Sequence, residues 1–244
     1  MRNHIFILLL VVFFLVSCSP NKIQLSTEAK LKNADELFAK KKYSRAVVIY
    51  EEISFERKSA ATAYATMKVA DCYFNMNKFS EARARYEQFI NSFPDHENVA
   101  DAYFQVGVCL FEESLPPQYD QTETIKCIEA FQTFIDRYPN DPRYEKAVEY
   151  IHKCQYKLLE KQYLNGYIYY KMKDYSSALM YFDEIVSLGN IDELDRKSLY
   201  YSAKLHLYQK NYDKAKASYE RLKNRYPDSK EAKRLAQKFA KLEK

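Results

Sequence analysis

The sequence predicts an all-α fold, a right-handed solenoid of five stacked helix hairpins. Three observations predict it: only 3 Gly and 7 Pro occur among 244 residues, Ala, Lys, Glu and Leu are abundant, and one pattern recurs five times. Gly and Pro together make up about 12% of an average protein. Because they supply turns and bulges, their shortage argues against sandwiches, barrels and glycine-rich phosphate-binding folds. Good helix formers joined by short connectors favour long amphipathic helices.

The first 18 residues indicate an export signal followed by a lipidation site. Residues 5–16 form an unbroken apolar run of 12 residues, which is shorter than the roughly 20 that span a bilayer and suits a signal peptide. The following Leu15-Val16-Ser17-Cys18 resembles the bacterial lipobox. This resemblance implies that residues 1–17 are removed and that Cys18 is acylated, with several acyl chains giving a stable anchor. Residues 18–27 would form a lipid-anchored tether, and Ser19 in place of Asp favours the outer membrane.

The recurring pattern consists of two helices, A and B, each with a small residue at a fixed position. Helix A carries it at Ala34, Ala70, Gly107, Gly166 and Ala203. Helix B carries it at Ala46, Ala82, Cys127, Ala178 and Ala215. An aromatic residue follows four positions later in helix B, at Tyr50, Tyr86, Phe131, Phe182 and Tyr219. The pattern is similar to the tetratricopeptide repeat, in which small residues let the paired helices approach and aromatics fill the gaps to the next hairpin.

Two irregular spacings modify the regular array. Successive B segments lie 36, 45, 51 and 37 residues apart. Residues 113–122 contain two prolines and are predicted to form a loop inside repeat 3. Residues 143–165 lack Pro and Gly, so we expect one long helix that runs into helix A of repeat 4. The predicted parts are therefore N-terminal repeats 1–3 at residues 28–142, and at residues 143–244 the long helix, repeats 4–5 and a capping helix.

The chain carries no pattern typical of a catalytic or metal site. It has 4 His but none of the HExxH, GxSxG, Walker A or CxxC motifs. We therefore expect a protein that is not an enzyme and needs no cofactor, nucleotide or metal, and we interpret His206 as a packing residue. The formal charge of +5 comes from interleaved Lys and Glu, which indicates a solvated helical surface and not a nucleic-acid-binding face.

The cysteines after Cys18 are interpreted as small apolar packing residues. Cys72 and Cys109 share one register of helix A. Equivalent positions of stacked hairpins lie about 10 Å apart, beyond the range that a disulfide bridges. We therefore expect no structural disulfide, although the sequence alone does not establish whether any of Cys72, Cys109, Cys127 and Cys154 pair.

Candidate binding residues follow from the concave face, which helix A lines in repeats of this kind. In the N-terminal repeats we predict a groove for a substrate peptide, formed by Tyr64, Met67, Phe74, Phe104 and Phe111. In the C-terminal repeats we predict a partner-binding face formed by Tyr163, Tyr167, Tyr170, Lys171, Tyr200, Lys204 and Tyr208. Aromatic anchors with a polar rim suit an extended peptide or a partner element. The alternative is that about half of these aromatics pack against the next hairpin.

Several segments point to one family. They are Tyr119-Asp120-Gln121-Thr122, the sequence AFQTFIDRYP at residues 130–139, YLNGYIYYK at 163–171 and DYSSA at 174–178. Together with the lipobox and five repeats they resemble the BamD family of outer-membrane protein assembly lipoproteins. The resemblance implies a scaffold on the periplasmic leaflet of the outer membrane, within the β-barrel assembly machinery. Its C-terminal repeats would bind the periplasmic domain of BamA, and its N-terminal repeats would receive the C-terminal strand of nascent barrel proteins.

Two other functions remain open from the sequence. A pilotin-like periplasmic repeat lipoprotein of a secretion or pilus system would share the lipobox and the helical repeats. A glycan-binding helical lipoprotein is the second, but such proteins use large insertions and Trp platforms, and this chain has no Trp.

Overall fold

The computed structural model describes residues 25–242, which contain eleven helices and no strand. The predicted signal peptide and Cys18 lie outside the described residues. The helices are α1 (Thr27–Ala39), α2 (Tyr43–Ser54), α3 (Ala60–Asn75), α4 (Phe79–Ser92), α5 (Val99–Glu113), α6 (Thr122–Arg137), α7 (Tyr144–Lys171), α8 (Tyr175–Ser187), α9 (Glu193–Tyr208), α10 (Tyr212–Arg225) and α11 (Lys230–Leu242). Consecutive helices pair from α1 with α2 to α9 with α10, and α11 packs on the last pair. The predicted solenoid of five helix hairpins with a terminal helix is confirmed.

Small residues hold the hairpins together as the repeat pattern predicts. All ten small positions of the A and B helices are buried, and the eight Ala and Cys residues among them have no exposed surface. The helix-B aromatics of repeats 1–4 are also buried. The aromatic of repeat 5, Tyr219, is half-buried and stacks on Phe239 of α11, with ring centroids 4.7 Å apart. The last helix therefore takes the place that a sixth repeat would occupy.

Tight turns join helices A and B in repeats 1, 2, 4 and 5. Each turn contains one residue with positive φ, namely Lys41, Asn77, Lys173 and Lys210. In each turn the next residue donates its backbone N–H to a carbonyl five positions earlier, as from Lys42 to Leu37 at 2.8 Å. This is the Schellman arrangement that ends a helix. Backbone geometry of this kind reverses the chain without glycine.

Prolines close the B helices of repeats 2, 3 and 5. Pro94, Pro139 and Pro227 each lie two residues beyond the last helical residue. The residue between leaves helical geometry, as at Phe93 with φ −134° and ψ 56°. Because a proline ring cannot continue the helical hydrogen-bond ladder, each helix ends there.

Repeat 3 departs from the tight turn, as its inserted prolines predict. Residues 114–121 form a loop between α5 and α6. Gln121 is buried, and its side-chain amide donates to the carbonyl of Pro116 at 2.8 Å. The hydroxyl of Thr124 donates to the Gln121 side-chain oxygen at 2.8 Å. One glutamine thus organises the loop from within.

The predicted long helix is α7, with 28 residues and a length of about 42 Å. Its first half contributes Ala147, Ile151 and Cys154 to a core cluster shared with α5 and α6. Its second half carries Tyr163 and Tyr167, which pack on the cluster of α8 and α9. One helix therefore connects two hydrophobic cores.

The described range, residues 25–242, contains no helix with both the length and the apolar character of a membrane span.

Candidate partner-binding surfaces

The predicted N-terminal groove is largely filled by the protein itself. Of its five residues only Tyr64 is exposed, at 40% of its surface. Met67, Phe74 and Phe111 are half-buried. Phe104 is only 8% exposed and belongs to the core cluster of α5, α6 and α7. A peptide therefore finds one exposed side chain here where the sequence predicts five.

The long helix covers this part of the groove. Tyr150 of α7 lies against Phe111, with ring centroids 4.9 Å apart, and against Phe104 at 6.3 Å. The Arg143 guanidinium lies 5.3 Å from the centre of the Phe104 ring. A substitution at Phe104 would consequently destabilise the core of repeat 3, and any effect on binding could follow from that loss of stability.

A smaller patch remains around Tyr64. Its hydroxyl donates to Asp35 at 2.9 Å, and Asp35 also accepts from the buried Tyr50 at 2.5 Å. Burial, together with the nearby carboxylate, raises the pKa of Tyr64 to about 12. The Lys68 ammonium lies 4.6 Å from the Phe38 ring and 5.8 Å from the Tyr64 ring. The patch offers an aromatic face, a carboxylate and a cation, Lys68, which is ion-paired with Asp71 at 3.0 Å.

The C-terminal half contains a dense tyrosine cluster on one face of α7. Tyr163, Tyr167 and Tyr170 follow one another along the helix, with successive ring centroids 6.3 and 6.0 Å apart. Tyr201 of α9 packs against Tyr170 at 4.9 Å and against Tyr167 at 5.7 Å. Burial, followed by the neighbouring tyrosines, raises the pKa of Tyr201 to about 12.

An open cavity of 370 Å³ adjoins this cluster. It is lined by Tyr170, Tyr175, Lys204, Leu205, Leu207, Tyr208, Tyr212, Lys238 and Lys241. All three of its charged residues are lysines, and no ion pair involves any of them within residues 25–242. The lining is thus aromatic and positively charged.

Lys204 links the cavity to the tyrosine cluster. Its ammonium donates to the Tyr170 hydroxyl and lies 4.8 Å from the centre of that ring. On the outer side, Tyr175 and Tyr208 meet edge to face, with ring centroids 4.5 Å apart. Tyr208 is 69% exposed. An exposed aromatic beside a cation provides a site where an acidic or aromatic side chain of a partner can bind.

The structure brings only part of the predicted C-terminal face together. Tyr170, Lys204 and Tyr208 line the cavity. Tyr163 and Tyr167 lie beside it against Tyr201, and Lys171 is exposed. Tyr200 instead packs against the cluster of Leu199, Leu222 and Leu235.

The predicted face lacks five aromatic or charged residues of this site, namely Tyr175, Tyr201, Tyr212, Lys238 and Lys241, as well as Leu205 and Leu207. Tyr201 lies two positions before the small residue of helix A, a register that we did not count as concave. The equivalent residue of repeat 2, Lys68, also lies at the concave patch. The i, i+3 spacing of Lys238 and Lys241 places both on one face of α11, and this spacing can be seen in the sequence alone.

No group of three or more His, Cys, Asp or Glu within the described range could hold a metal ion. His206 is buried, its Nε2 lies 3.6 Å from an Asp183 oxygen, and burial lowers its pKa. It occupies the helix-A register of Leu37 and Leu110, in keeping with a packing role.

Comparison with known proteins places the chain in a family. The sequence model of the YfiO family, described as outer membrane lipoproteins, matches residues 24–188, and a tetratricopeptide repeat model matches residues 197–229. The chain belongs to the YfiO family of outer membrane lipoproteins. It is 24% identical over 195 residues to the outer membrane protein assembly factor BamD of Rickettsia prowazekii (strain Madrid E), over 80% of this chain and 78% of that protein.

Solved helical-repeat structures are also similar. One is the complex of the TPR2AB domain of yeast Sti1 with pHSP90, which is 12% identical, with a TM-score of 0.47 over 84% of this chain and 80% of that one. Another is TTC0263, a thermophilic tetratricopeptide repeat protein of Thermus thermophilus, which is 14% identical, with a TM-score of 0.37 over 89% of this chain and 100% of that one.

Proposed function

We propose that this protein is a lipid-anchored scaffold of the β-barrel assembly machinery, held at the periplasmic face of the outer membrane through Cys18. It would bind nascent barrel proteins and the periplasmic domain of BamA, and perform no catalysis itself. Membership of the YfiO family carries the proposal, supported by the similarity to a protein named as an outer membrane protein assembly factor. The lipobox at residues 15–18 is the sequence feature that supports anchoring.

The cavity of the C-terminal half is the surface that we assign to BamA. Its three lysines and its tyrosines suit a partner element with acidic and aromatic side chains. Lys204 is half-buried and held by Tyr170, so its charge is already positioned before a partner arrives. A positioned charge loses less conformational freedom on binding than a mobile surface lysine does.

For nascent barrels we retain the N-terminal half, but centred on Tyr64. The ring of Tyr64 is the exposed aromatic of the predicted groove, with Lys68 and Asp35 beside it. The Lys68 ammonium suits the terminal carboxylate of an extended strand, and the phenol ring suits an aromatic side chain near that terminus.

Affinity purification of the full chain from membranes tests the assignment to the assembly machinery. We expect BamA to be recovered and depletion of the chain to lower the levels of outer-membrane barrels. Recovery of a secretin, with barrel levels unchanged, would instead support the pilotin-like alternative.

The C-terminal surface has its own test. Lys204→Glu combined with Lys238→Glu should weaken recovery of BamA at least tenfold, because two attractive contacts become repulsive. Lys126→Glu, at an exposed position of α6, is the matched control and should change recovery little. Equal recovery with both variants would contradict the assignment.

The N-terminal surface is tested with a synthetic peptide that carries the C-terminal strand of a barrel. Tyr64→Glu should weaken binding of this peptide, whereas Tyr119→Glu, at an exposed loop residue, should not. Unchanged affinity in the Tyr64→Glu variant would show that the barrel strand does not bind at this patch. Phe104→Glu is unsuitable for the test because it places a charge in the core.

A further inference from the structure

Two cysteine thiols face each other between α6 and α7. The Sγ atoms of Cys127 and Cys154 lie 3.3 Å apart, and neither residue has any exposed surface. In the structure both are free thiols, and the Cys127 sulfur also contacts the carbonyl oxygen of Gly107 at 3.5 Å. No other pair of sulfurs in residues 25–242 makes such a contact. The scaffold function described above uses neither thiol.

The geometry points to a covalent cross-link: Cys127 and Cys154 are the partners of an intramolecular disulfide that ties helix B of repeat 3 to the long helix. A disulfide has an S–S distance of about 2.05 Å, so the sulfurs must approach by about 1 Å. Small rotations about the Cα–Cβ bonds of the two residues can supply this movement. This inference replaces our expectation that no structural disulfide forms, which considered equivalent positions of stacked hairpins and not this pair.

Export from the cytoplasm would bring the two thiols into a compartment where disulfides form. The inference rests on the outer-membrane location in the proposed function, because disulfides form and persist in oxidising compartments outside the cytoplasm. The oxidant is a disulfide, either of an exchange protein or of a small thiol. In the packed core the thiol of Cys127 and the ammonium of Lys157 favour the Cys154 thiolate and lower the pKa of that thiol, so Cys154 is the more easily ionised of the two there.

The exchange balances in two steps. The Cys154 thiolate, its proton released to solvent, attacks one sulfur of the oxidant disulfide, whose S–S bond breaks and releases a thiolate. The Cys127 thiolate, its proton likewise released, then attacks the Cys154 sulfur of the mixed disulfide and releases the second oxidant thiolate. The two cysteine sulfurs are oxidised, the oxidant is reduced to two thiolates, and these thiolates take up the two protons to become thiols.

Burial of the two sulfurs determines when the Cys127–Cys154 disulfide can form and protects it afterwards. An oxidant cannot reach either sulfur once α6 and α7 are packed, so exchange takes place while the chain folds. The closed core then excludes reductants from the bond. Cys72 and Cys109 are also buried, and burial raises the pKa of each to about 12. Without a sulfur neighbour they remain thiols.

Differential thiol labelling of the full chain, recovered from cells by acid precipitation, tests the cross-link. Thiols are blocked in denaturant with N-ethylmaleimide, disulfides are then reduced, and the new thiols are labelled with a heavy isotope of the same reagent. We expect the light label on Cys72 and Cys109 and the heavy label on Cys127 and Cys154. Light label on the latter two, in protein from the membrane fraction, would overturn the proposal.

Cell fractionation separates this test from that of the proposed function. If the chain is not found in the membrane fraction, the location fails, and purified full chain refolded with reduced and oxidised glutathione tests the pair itself. A Cys127–Cys154 peptide in the digest supports the pairing, and a fully reduced pair refutes it.

A variant provides a second readout. Cys127→Ala restores the alanine that the other four repeats carry at this position. Reduction in denaturant followed by refolding with reductant present should lower the melting temperature of the wild-type protein by about 10 °C and leave that of the variant unchanged. Equal sensitivity of both proteins to reductant would count against the cross-link. The labelling of the wild-type chain decides the question even if the variant does not fold.

Discussion

Replacing Gly107 with alanine should destabilise the protein, although repeats 1, 2 and 5 carry alanine at the equivalent position. A Cβ atom at Gly107 would lie 2.7, 2.8 and 2.9 Å from three carbons of the Phe131 ring. Carbon atoms in good contact lie about 3.5–4.0 Å apart, so the ring would have to move by about 1 Å. Alanine is common at this position in the other repeats of the chain, and it is the position of the Phe131 ring that makes it destabilising in repeat 3.

The Phe131 ring has little room to move. It stacks on Tyr150 with centroids 4.8 Å apart and planes 4° from parallel, and it meets Phe104 edge to face at 5.4 Å. Overpacking a tight core costs about 1–3 kcal/mol. The better helix propensity of alanine offsets about 1 kcal/mol of this. We expect a net loss of about 1 kcal/mol in the free energy of unfolding, within a range of about 0–2 kcal/mol.

Urea unfolding followed by circular dichroism measures the effect. Gly107→Ala should lower the unfolding midpoint, whereas in a Phe131→Leu background the same change should be neutral or stabilising because the smaller side chain leaves space. Ala70→Gly, the reverse change in repeat 2, is the control and should cost about 1 kcal/mol. A Gly107→Ala protein about 1 kcal/mol more stable than the wild type, as helix propensity alone predicts, would refute the packing argument.

Three further predictions concern other parts of the chain. Burial lowers the pKa of His206 below its ordinary 6.5, so the unfolding free energy should fall as pH drops below about 6.5, where the unfolded chain binds a proton that the folded chain does not. Tyr86→Phe removes a 2.8 Å hydrogen bond from the tyrosine hydroxyl to Asp71 and should cost about 1–2 kcal/mol in urea unfolding. Cys18→Ser should abolish incorporation of labelled palmitate and move the protein from the membrane fraction to the soluble one.

Each of these has a matched control. His206→Leu, which copies the residue of repeats 1 and 3, should flatten the stability profile between about pH 7.5 and 5.5, and an unchanged slope would assign the effect elsewhere. Tyr119→Phe, at a residue that is 56% exposed, should leave stability unchanged, and an equal loss there would mean that the Asp71 bond is unimportant. Ser19→Ala keeps the acylated cysteine and should stay with membranes. A membrane-bound Cys18→Ser protein would show that another feature anchors the chain.

The repeat architecture could be predicted because close helix contacts impose small residues at fixed spacing, and this spacing is visible in one sequence. The loop and the long helix were equally accessible, since prolines mark the first and their absence marks the second. The same helix A to helix B hydrogen bond occurs in repeats 1 and 2, where Asp35 accepts from Tyr50 and Asp71 accepts from Tyr86. In repeat 3 the equivalent residues are Val108 and Phe131, so both polar partners are replaced by apolar ones.

The surfaces were less predictable. Burial of Phe104 depends on where Tyr150 of the long helix lies, and repeat spacing carries no information on that position. The cavity depends on how α11 packs, because this helix brings Lys238 and Lys241 to the tyrosines of α7 and α9. A repeat pattern defines contacts between neighbouring hairpins, whereas a binding surface combines residues from helices far apart in the chain.

The long helix has a mechanical consequence. At about 42 Å, α7 acts as a lever whose two ends are fixed in different cores. A bend of about 5° near its middle would displace the far end by roughly 2 Å, and the same rotation about one end would displace it by nearly 4 Å. A partner that shifts the tyrosines near Lys171 would therefore transmit force to repeat 3 through a single continuous segment. A rotation of α7 in one half of the protein would therefore move residues of the other half directly, because both halves contain parts of the same helix.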